Sequence, residues 1–245
     1  MDARLEKSLS PVRLTAKHHA LLFGWIARAV IDNVGQNRGG EVIRQAVRRY
    51  AGQRGRRMAL RAAREGRGAT VLDYLSYCEW QPDPGESTSS LVRRNPDLRQ
   101  QVQLCPWFRA WQEAELVDAG RLYCEEIDRA LLCGFNPDLE LQVASLRVRG
   151  DPCCEFIFKE ANLSLFDSIR LVYRRRRRSG RVAAQPWDYH LGHLYATLRR
   201  VLIEELGPAG AEALHQGLAE FTEHFSAEAT QAVLANAERD FEVAL

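Results

Sequence analysis

The sequence has almost no lysine. Lys7, Lys17 and Lys159 are the only three, so arginine carries nearly all the positive charge. That skew reads as the mark of a GC-rich bacterial genome rather than of a function. No apolar run approaches the ~20 residues that a membrane-spanning helix needs. The longest, Ala20 to Ile31, is interrupted by Arg28. The stretch Met1 to Arg13 mixes both charge signs and lacks a signal-peptide core. These absences predict a cytoplasmic protein without a membrane partner. Short chemical signatures are missing too. There is no GxGxxG, no P-loop, no HExxH and no GxSxG, which argues against nucleotide cofactors, zinc-protease chemistry and serine hydrolysis. No CxxC pair is present, so a zinc ribbon has little support. The formal net charge of +2 argues against a nucleic-acid partner.

What is present is ordinary soluble-protein composition, 46% hydrophobic and 27% charged. The length suits one domain over 1–245, long enough for a sizeable core. Six cysteines occur, at 78, 105, 124, 133, 153 and 154. In a reducing compartment they are thiols rather than a disulfide framework.

Periodicity divides the chain into a helical part (14–80), a central helix plus β-hairpin (97–159) and a second helical part (163–243). Leu14 to Val34 is apolar at helical spacing. Gly35 to Gly40 reads as a loop, Glu41 to Tyr50 as a second helix, and Gln53 to Ala59 as running into a third, to about Glu65, that Gly66 and Gly68 end. Val71 to Trp80 reads as a short helix or extended segment, Pro82 to Ser90 as a loop, and Asp97 to Cys105 as a short amphipathic piece. A helix from Leu116 carries Cys124 and Asp128. The run Leu139 to Arg149 alternates with period two and pairs, across a Gly150-Asp151-Pro152 turn, with Cys153 to Lys159. Helices follow over Phe166–Arg178, Trp187–Leu206, Ala209–Phe225 and Ala227–Val243. The fold class is therefore α+β, mainly helical, with a small antiparallel sheet. The long C-terminal helices could pack on their own core or on a second copy as a homo-oligomer.

The candidate chemistry begins with Cys124 and Asp128, which are four residues apart and share a face of one helix. A thiol and a carboxylate so placed could act as nucleophile and partner, or ligate a metal. The alternative is a buried structural cysteine beside an unrelated Asp. Cys153 and Cys154 are neighbours on a strand and point to opposite faces, Cys154 sharing the core side with Phe156 and Phe158. His190 and His193, at i and i+3 near a helix start, could place a base beside a thiol or grip a metal; equally they could bond nothing special. His18-His19 is weaker, because adjacent helical residues diverge. Arg54 to Arg57 could form an anion pocket for a substrate carboxylate or a solvated basic surface. The run Arg174 to Arg178 reads as a solvated helix end.

Three blocks carry a resemblance. They are Arg54-Gly55-Arg56-Arg57-Met58-Ala59 with Tyr74 to Trp80; Cys105-Pro106, Gly120, Cys124, Asp128, Phe135-Asn136-Pro137, Gly150-Asp151 and Cys154-Glu155-Phe156; and Trp187-Asp188-Tyr189-His190 with His193 and Leu194. Together they resemble the L-2-amino-thiazoline-4-carboxylic acid hydrolase family of bacterial proteins over roughly Ala20 to Phe225. The resemblance implies a hydrolase acting on a non-peptide C–N or C–S bond of a small cyclic amidine, often in secondary metabolism. It implies that Cys124, Asp128, His190 and His193 converge as catalytic residues, with a thiolate attacking the C=N carbon and a histidine moving the proton. Cys154, Arg56, Arg57, Trp187 and Tyr189 are then expected at the substrate site. No metal or cofactor is expected, zinc being the alternative. A module that binds a small molecule or a metal without turnover is the competing reading.

Overall fold

The computed structural model describes residues 12–80, 83–178 and 185–242, without the side chains of 175–178. The sequence readings over 1–11, 81–82, 179–184 and 243–245 lie outside the described residues. Ten α-helices and one sheet occur among the described residues, a mainly helical α+β fold. None of these helices is long and apolar enough to cross a membrane.

Helix α1 (Ala16–Val34) is the central element, buried along nearly its whole length. It packs against α2 (Gln36–Arg64), α4 (Pro106–Glu113), α5 (Val117–Cys124), α8 (Trp187–Leu206) and α9 (Pro208–His224). Gly35, at φ 85°, ends α1 where other residues would be strained. The expected loop over 35–40 therefore shrinks to one residue. The two helices expected over 41–65 are one, α2, because Gly55 serves close packing rather than helix ending. A Cβ at Gly55 would lie 2.2 Å from the Leu131 carbonyl oxygen and 2.6 Å from the Phe135 nitrogen, both in α6 (Ile127–Phe135). A Cβ at Gly134 would lie 2.5 Å from the Gly52 oxygen. Helices α2 and α6 thus meet backbone to backbone, a contact that only glycine permits.

The single helix expected through Cys124 and Asp128 is two. Helix α5 ends at Cys124, and α6 begins at Ile127 after Glu125 and Glu126. At the break the Glu126 amide reaches back three residues, to Tyr123, instead of four. Helix α3 (Val71–Ser76) is capped by Thr70, whose hydroxyl accepts from the Asp73 amide.

The sheet has four antiparallel strands in the order β1-β2-β4-β3. Strands β3 (Leu141–Ser145) and β4 (Cys154–Phe158) form the expected hairpin, with β3 shorter than read because Arg147–Arg149 turns as a 3-10 helix. Strands β1 (Thr88–Arg93) and β2 (Leu98–Leu104) occupy segments read as a loop and an amphipathic piece. Alternation along β4 turns Cys154, Phe156 and Phe158 inward, while Glu155 meets Arg99 at 2.9 Å on the outer face. After the sheet, α7 (Leu165–Arg178) packs on α3, and α8, α9 and α10 (Ala227–Ala237) close the helical layer.

Candidate functional site

The inner face of the sheet does not close onto the helices. A cavity of about 260 Å³ separates them, bounded by β4, β2, the starts of α4 and α6, the end of α5, and Arg54 and Trp80. Asp128, in the first turn of α6, and Cys124, the last residue of α5, both face it despite the break between their helices. Cys154 faces it from β4 and Cys105 from the residue before α4. With Cys78, which also lines it, four thiols and one carboxyl share one space.

Asp128 has no hydrogen-bond or ion-pair partner among the described residues. Burial pushes its carboxyl up from 3.8 to about 6, with Arg54 pulling the other way. It is half-buried, its exposed atoms facing cavity space. An unpaired carboxyl that titrates near neutrality in a cavity has the properties of a general acid or base. Cys105, Cys124 and Cys154 are driven toward the protonated form. Burial, then the neighbouring Cys105, Cys154 and Asp128, push Cys124 well above the usual thiol range. Burial pushes Cys154 up to about 11, although the Arg147 amide donates to its sulfur at 3.4 Å. Burial raises Cys105 as well, against the amides at the start of α4. No resident thiolate is favoured here.

Arg54 supplies the opposite charge. It lines the cavity, its guanidinium carbon stands 3.9 Å from the centre of the Trp80 ring, and its Nε donates to Glu79 at 3.2 Å. Arg54, Arg57 and Arg61 lie at i, i+3 and i+7, so α2 presents all three on one face. They converge on the fully buried Glu79, with Arg57 Nη2 at 3.2 Å and Arg61 Nη2 at 2.8 Å. Burial alone would raise the Glu79 carboxyl; the guanidiniums of Arg57, Arg54 and Arg61 outweigh it and hold it at about 2. Three cations against one anion leave a positive excess behind the cavity wall. Two further groups on lining residues, Trp80 Nε1 and Tyr123 Oη, are buried and without a partner.

His190 and His193 do not reach the cavity wall. They belong to the support behind Arg54. Arg57 Nη2 can only donate, so His193 Nδ1 accepts from it at 3.2 Å; its Nε2–H then donates to Gln53 Oε1 at 2.8 Å. Gln53 in turn donates to Glu242 at 2.6 Å. His190 Nε2 donates to the backbone oxygen of Glu79 at 3.1 Å, and its Nδ1 has no partner. Burial, then Arg54, brings His190 down to about 3, and burial with Arg57 brings His193 well below 6.5, so both rings are neutral. His19 is a third neutral buried ring, accepting from Trp107 at 3.1 Å and donating to Tyr50 at 3.0 Å.

The other expected binding residues divide. Cys154 lines the cavity. Arg56 is exposed and pairs with Glu242 at 3.4 Å. Arg57 is buried on Glu79 and the Phe241 carbonyl. Trp187 sits behind the wall, its ring 6.0 Å from Trp80 and 5.7 Å from Trp107. Tyr189 is fully buried against Phe241 and Arg57. Within the arginine block it is Arg54 that borders the cavity. The i, i+3, i+7 spacing of Arg54, Arg57 and Arg61 was the available signal for a shared buried anion; nothing in the spacing pointed to Trp80 or Tyr123. Among the described residues, no group of three or more His, Cys, Asp or Glu side chains is placed to hold a metal ion.

A family model described as L-2-amino-thiazoline-4-carboxylic acid hydrolase matches residues 15–158, more than half of the chain. The match contains the cavity and stops short of the Trp187–Leu194 block. No curated protein and no solved structure matches the chain.

Proposed function

The chain belongs to the L-2-amino-thiazoline-4-carboxylic acid hydrolase family, and from that membership we propose that it is a hydrolase opening a small cyclic amidine in the cavity between Asp128 and Arg54. The observation that carries this reading is the unpaired Asp128 carboxyl, held at about 6 in a cavity whose other wall is cationic. A cyclic amidine of the thiazoline type is a cation at neutral pH, and its N–H groups are natural donors to a carboxylate. A substrate carboxylate finds its counter-charge in Arg54.

The chemistry follows from the protonation states. Asp128, mostly ionised at neutral pH, takes a proton from water as the water oxygen bonds to the amidine carbon. The tetrahedral adduct collapses by breaking the ring bond from that carbon to sulfur or nitrogen. Asp128 returns its proton to the departing heteroatom, and the adduct hydroxyl releases its own to solvent as the new carbonyl forms, the one net proton lost when an amidinium cation is hydrolysed to a neutral product. Asp128 is the proton carrier in this reading, in place of His190 and His193, because it borders the cavity and they do not. A second reading has Cys124 attack in place of water, passing its proton to Asp128 as the C–S bond to substrate forms; the shared cavity position of the two groups favours it.

Turnover of thiazolines and related cyclic amidines by the purified protein, followed by mass detection of ring opening, tests the proposal. Asp128→Asn is expected to lose about 10²–10⁴-fold in kcat/KM. Cys124→Ala retains activity if water attacks and loses it if the thiol does, and a substrate adduct on Cys124 in the intact-protein mass would establish the second route. Ligand retained through purification without turnover of any ring would make the protein a binding module instead.

A further inference from the structure

We infer that the ring opened in this cavity carries an apolar arm, an inference that rests on the hydrolase reading and specifies its substrate. The cavity has two chemically different ends. Cys154, Phe156 and Phe158 line it from alternate positions of β4, a run of about 13 Å at ~3.3 Å per residue. Asp128 and Cys105 lie toward the Cys154 end, where that thiol senses their charges. The Phe158 end is mainly apolar, with the Tyr74 phenol at its edge. Leu141 of β3 is paired with Phe158, and the Tyr74 ring lies 5.9 Å from the Phe158 ring. Leu131 of α6, about 4.5 Å along the helix from Asp128, adds a further apolar side chain to the lining. Gln100 is the polar residue between the ends, opposite Phe156 in the sheet.

A bare thiazoline carboxylate satisfies only the first end. Seated with its amidine on Asp128 and its carboxylate toward Arg54, it leaves the space beside Phe158 and Leu141 to water, which has few partners among hydrocarbon walls. Interiors are close-packed, and an unfilled apolar space costs stability in proportion to its size. A space of this kind beside a reactive group is accounted for by a ligand group that fills it. An alkyl or aryl arm on a ring carbon remote from the amidine carbon would run along β4 toward Phe158.

The test is one ligand series measured two ways on the full-length protein. Thiazoline carboxylates bearing no arm, methyl, propyl and benzyl arms are compared for kcat/KM by mass detection and for Kd by calorimetry. Each added methylene is expected to improve both by roughly fourfold until the end wall is reached. Leu141→Phe, or Leu131→Phe if the first does not fold, shortens the apolar end, and the gain should stop at a shorter arm. Turnover of the bare ring that stays flat or falls with arm length overturns the arm and leaves the hydrolase reading intact. Affinity that climbs with arm length while no ring is opened overturns the hydrolase reading and keeps the apolar end. Neither turnover nor binding by any member overturns both.

Discussion

Replacing Asp128 with asparagine should make the protein more stable at neutral pH while abolishing its activity. The folded carboxyl titrates at about 6 against an ordinary value of 3.8, so the folded state holds this proton more tightly than the unfolded chain does. The ionised form is therefore the unfavourable one. Stability from this group is complete below about pH 4, is lost as pH rises from there to about 6, and is flat above. A displacement of roughly two pH units at ~1.4 kcal/mol each sets an upper bound near 3 kcal/mol at neutral pH. Cavity space beside the carboxyl screens part of it, so the expected gain of Asp128→Asn is about 1–3 kcal/mol. Asparagine keeps the shape and cannot ionise. The groups that face the site alongside it are Arg54, which favours the carboxylate, the Tyr123 phenol and the thiols of Cys105, Cys124 and Cys154, which burial keeps neutral in this range, and the Cys78 thiol and Tyr74 phenol. Chemical denaturation of both proteins from about pH 4 to about pH 8 is the assay. The two stabilities should converge at the acid end and separate as pH rises. Parallel curves, or a variant less stable than the wild type at neutral pH, would refute the claim that Asp128 is held in a destabilised charged state. A stabilised, inactive variant is what a strained catalytic group predicts.

Glu79→Gln leaves three guanidiniums around a neutral amide and should cost about 3–5 kcal/mol in denaturation experiments. The folded Glu79 carboxyl sits at about 2 against 4.5, so its contribution is full above the ordinary value and disappears as pH falls from there toward 2; the gap to the variant should narrow over that window. Gly55→Ala drives a methyl into the Leu131 carbonyl and the Phe135 amide, backbone atoms that cannot rotate away, and should cost at least about 1–3 kcal/mol while lowering turnover through a displaced α6. Alkylation by iodoacetamide near neutral pH should mark the exposed Cys78 and Cys133 well before Cys124, as read by peptide mass mapping; equal rates would show a thiolate at Cys124.

Which parts of this architecture sequence could show depends on how local their causes are. The hairpin was legible from the alternation of its residues, and the second half of α8 because it buries Thr197, Leu198, Val201 and Leu202 on one face, a face that writes its period into neighbouring residues. Strand β1 is exposed along most of its length, so no alternation marks it. The continuity of α2 was hidden because Gly55 looks like a helix breaker until α6 is placed against it. Cys124, Asp128 and Cys154, expected together from spacing and resemblance, all line the cavity. The histidines show the limit of the same method. An i, i+3 pair on a helix start looks alike whether it faces a substrate or a buried arginine. What decides is the identity of the neighbours, and here they are Glu79, Arg57 and Gln53, each more than 100 residues away.

The division between the matched and unmatched parts of the chain then has a physical meaning. All the residues that bound the cavity fall between Arg54 and Phe158, inside the matched span of 15–158. The groups that hold the back of the arginine cluster come from beyond it: His193 and the Phe241 carbonyl on Arg57, and His190 on the backbone of Glu79. Arg54 reaches the cavity from α2, but where its guanidinium rests is set by Glu79, and Glu79 is shared with Arg57 and Arg61. The C-terminal helices therefore act on the site at one remove. Among the described residues they line no part of this cavity; they fix the partners of the cation that faces Asp128. A change in α8 that leaves every cavity residue untouched would still reach the chemistry by this route, through the position of one guanidinium and the proton affinity of the carboxyl across from it.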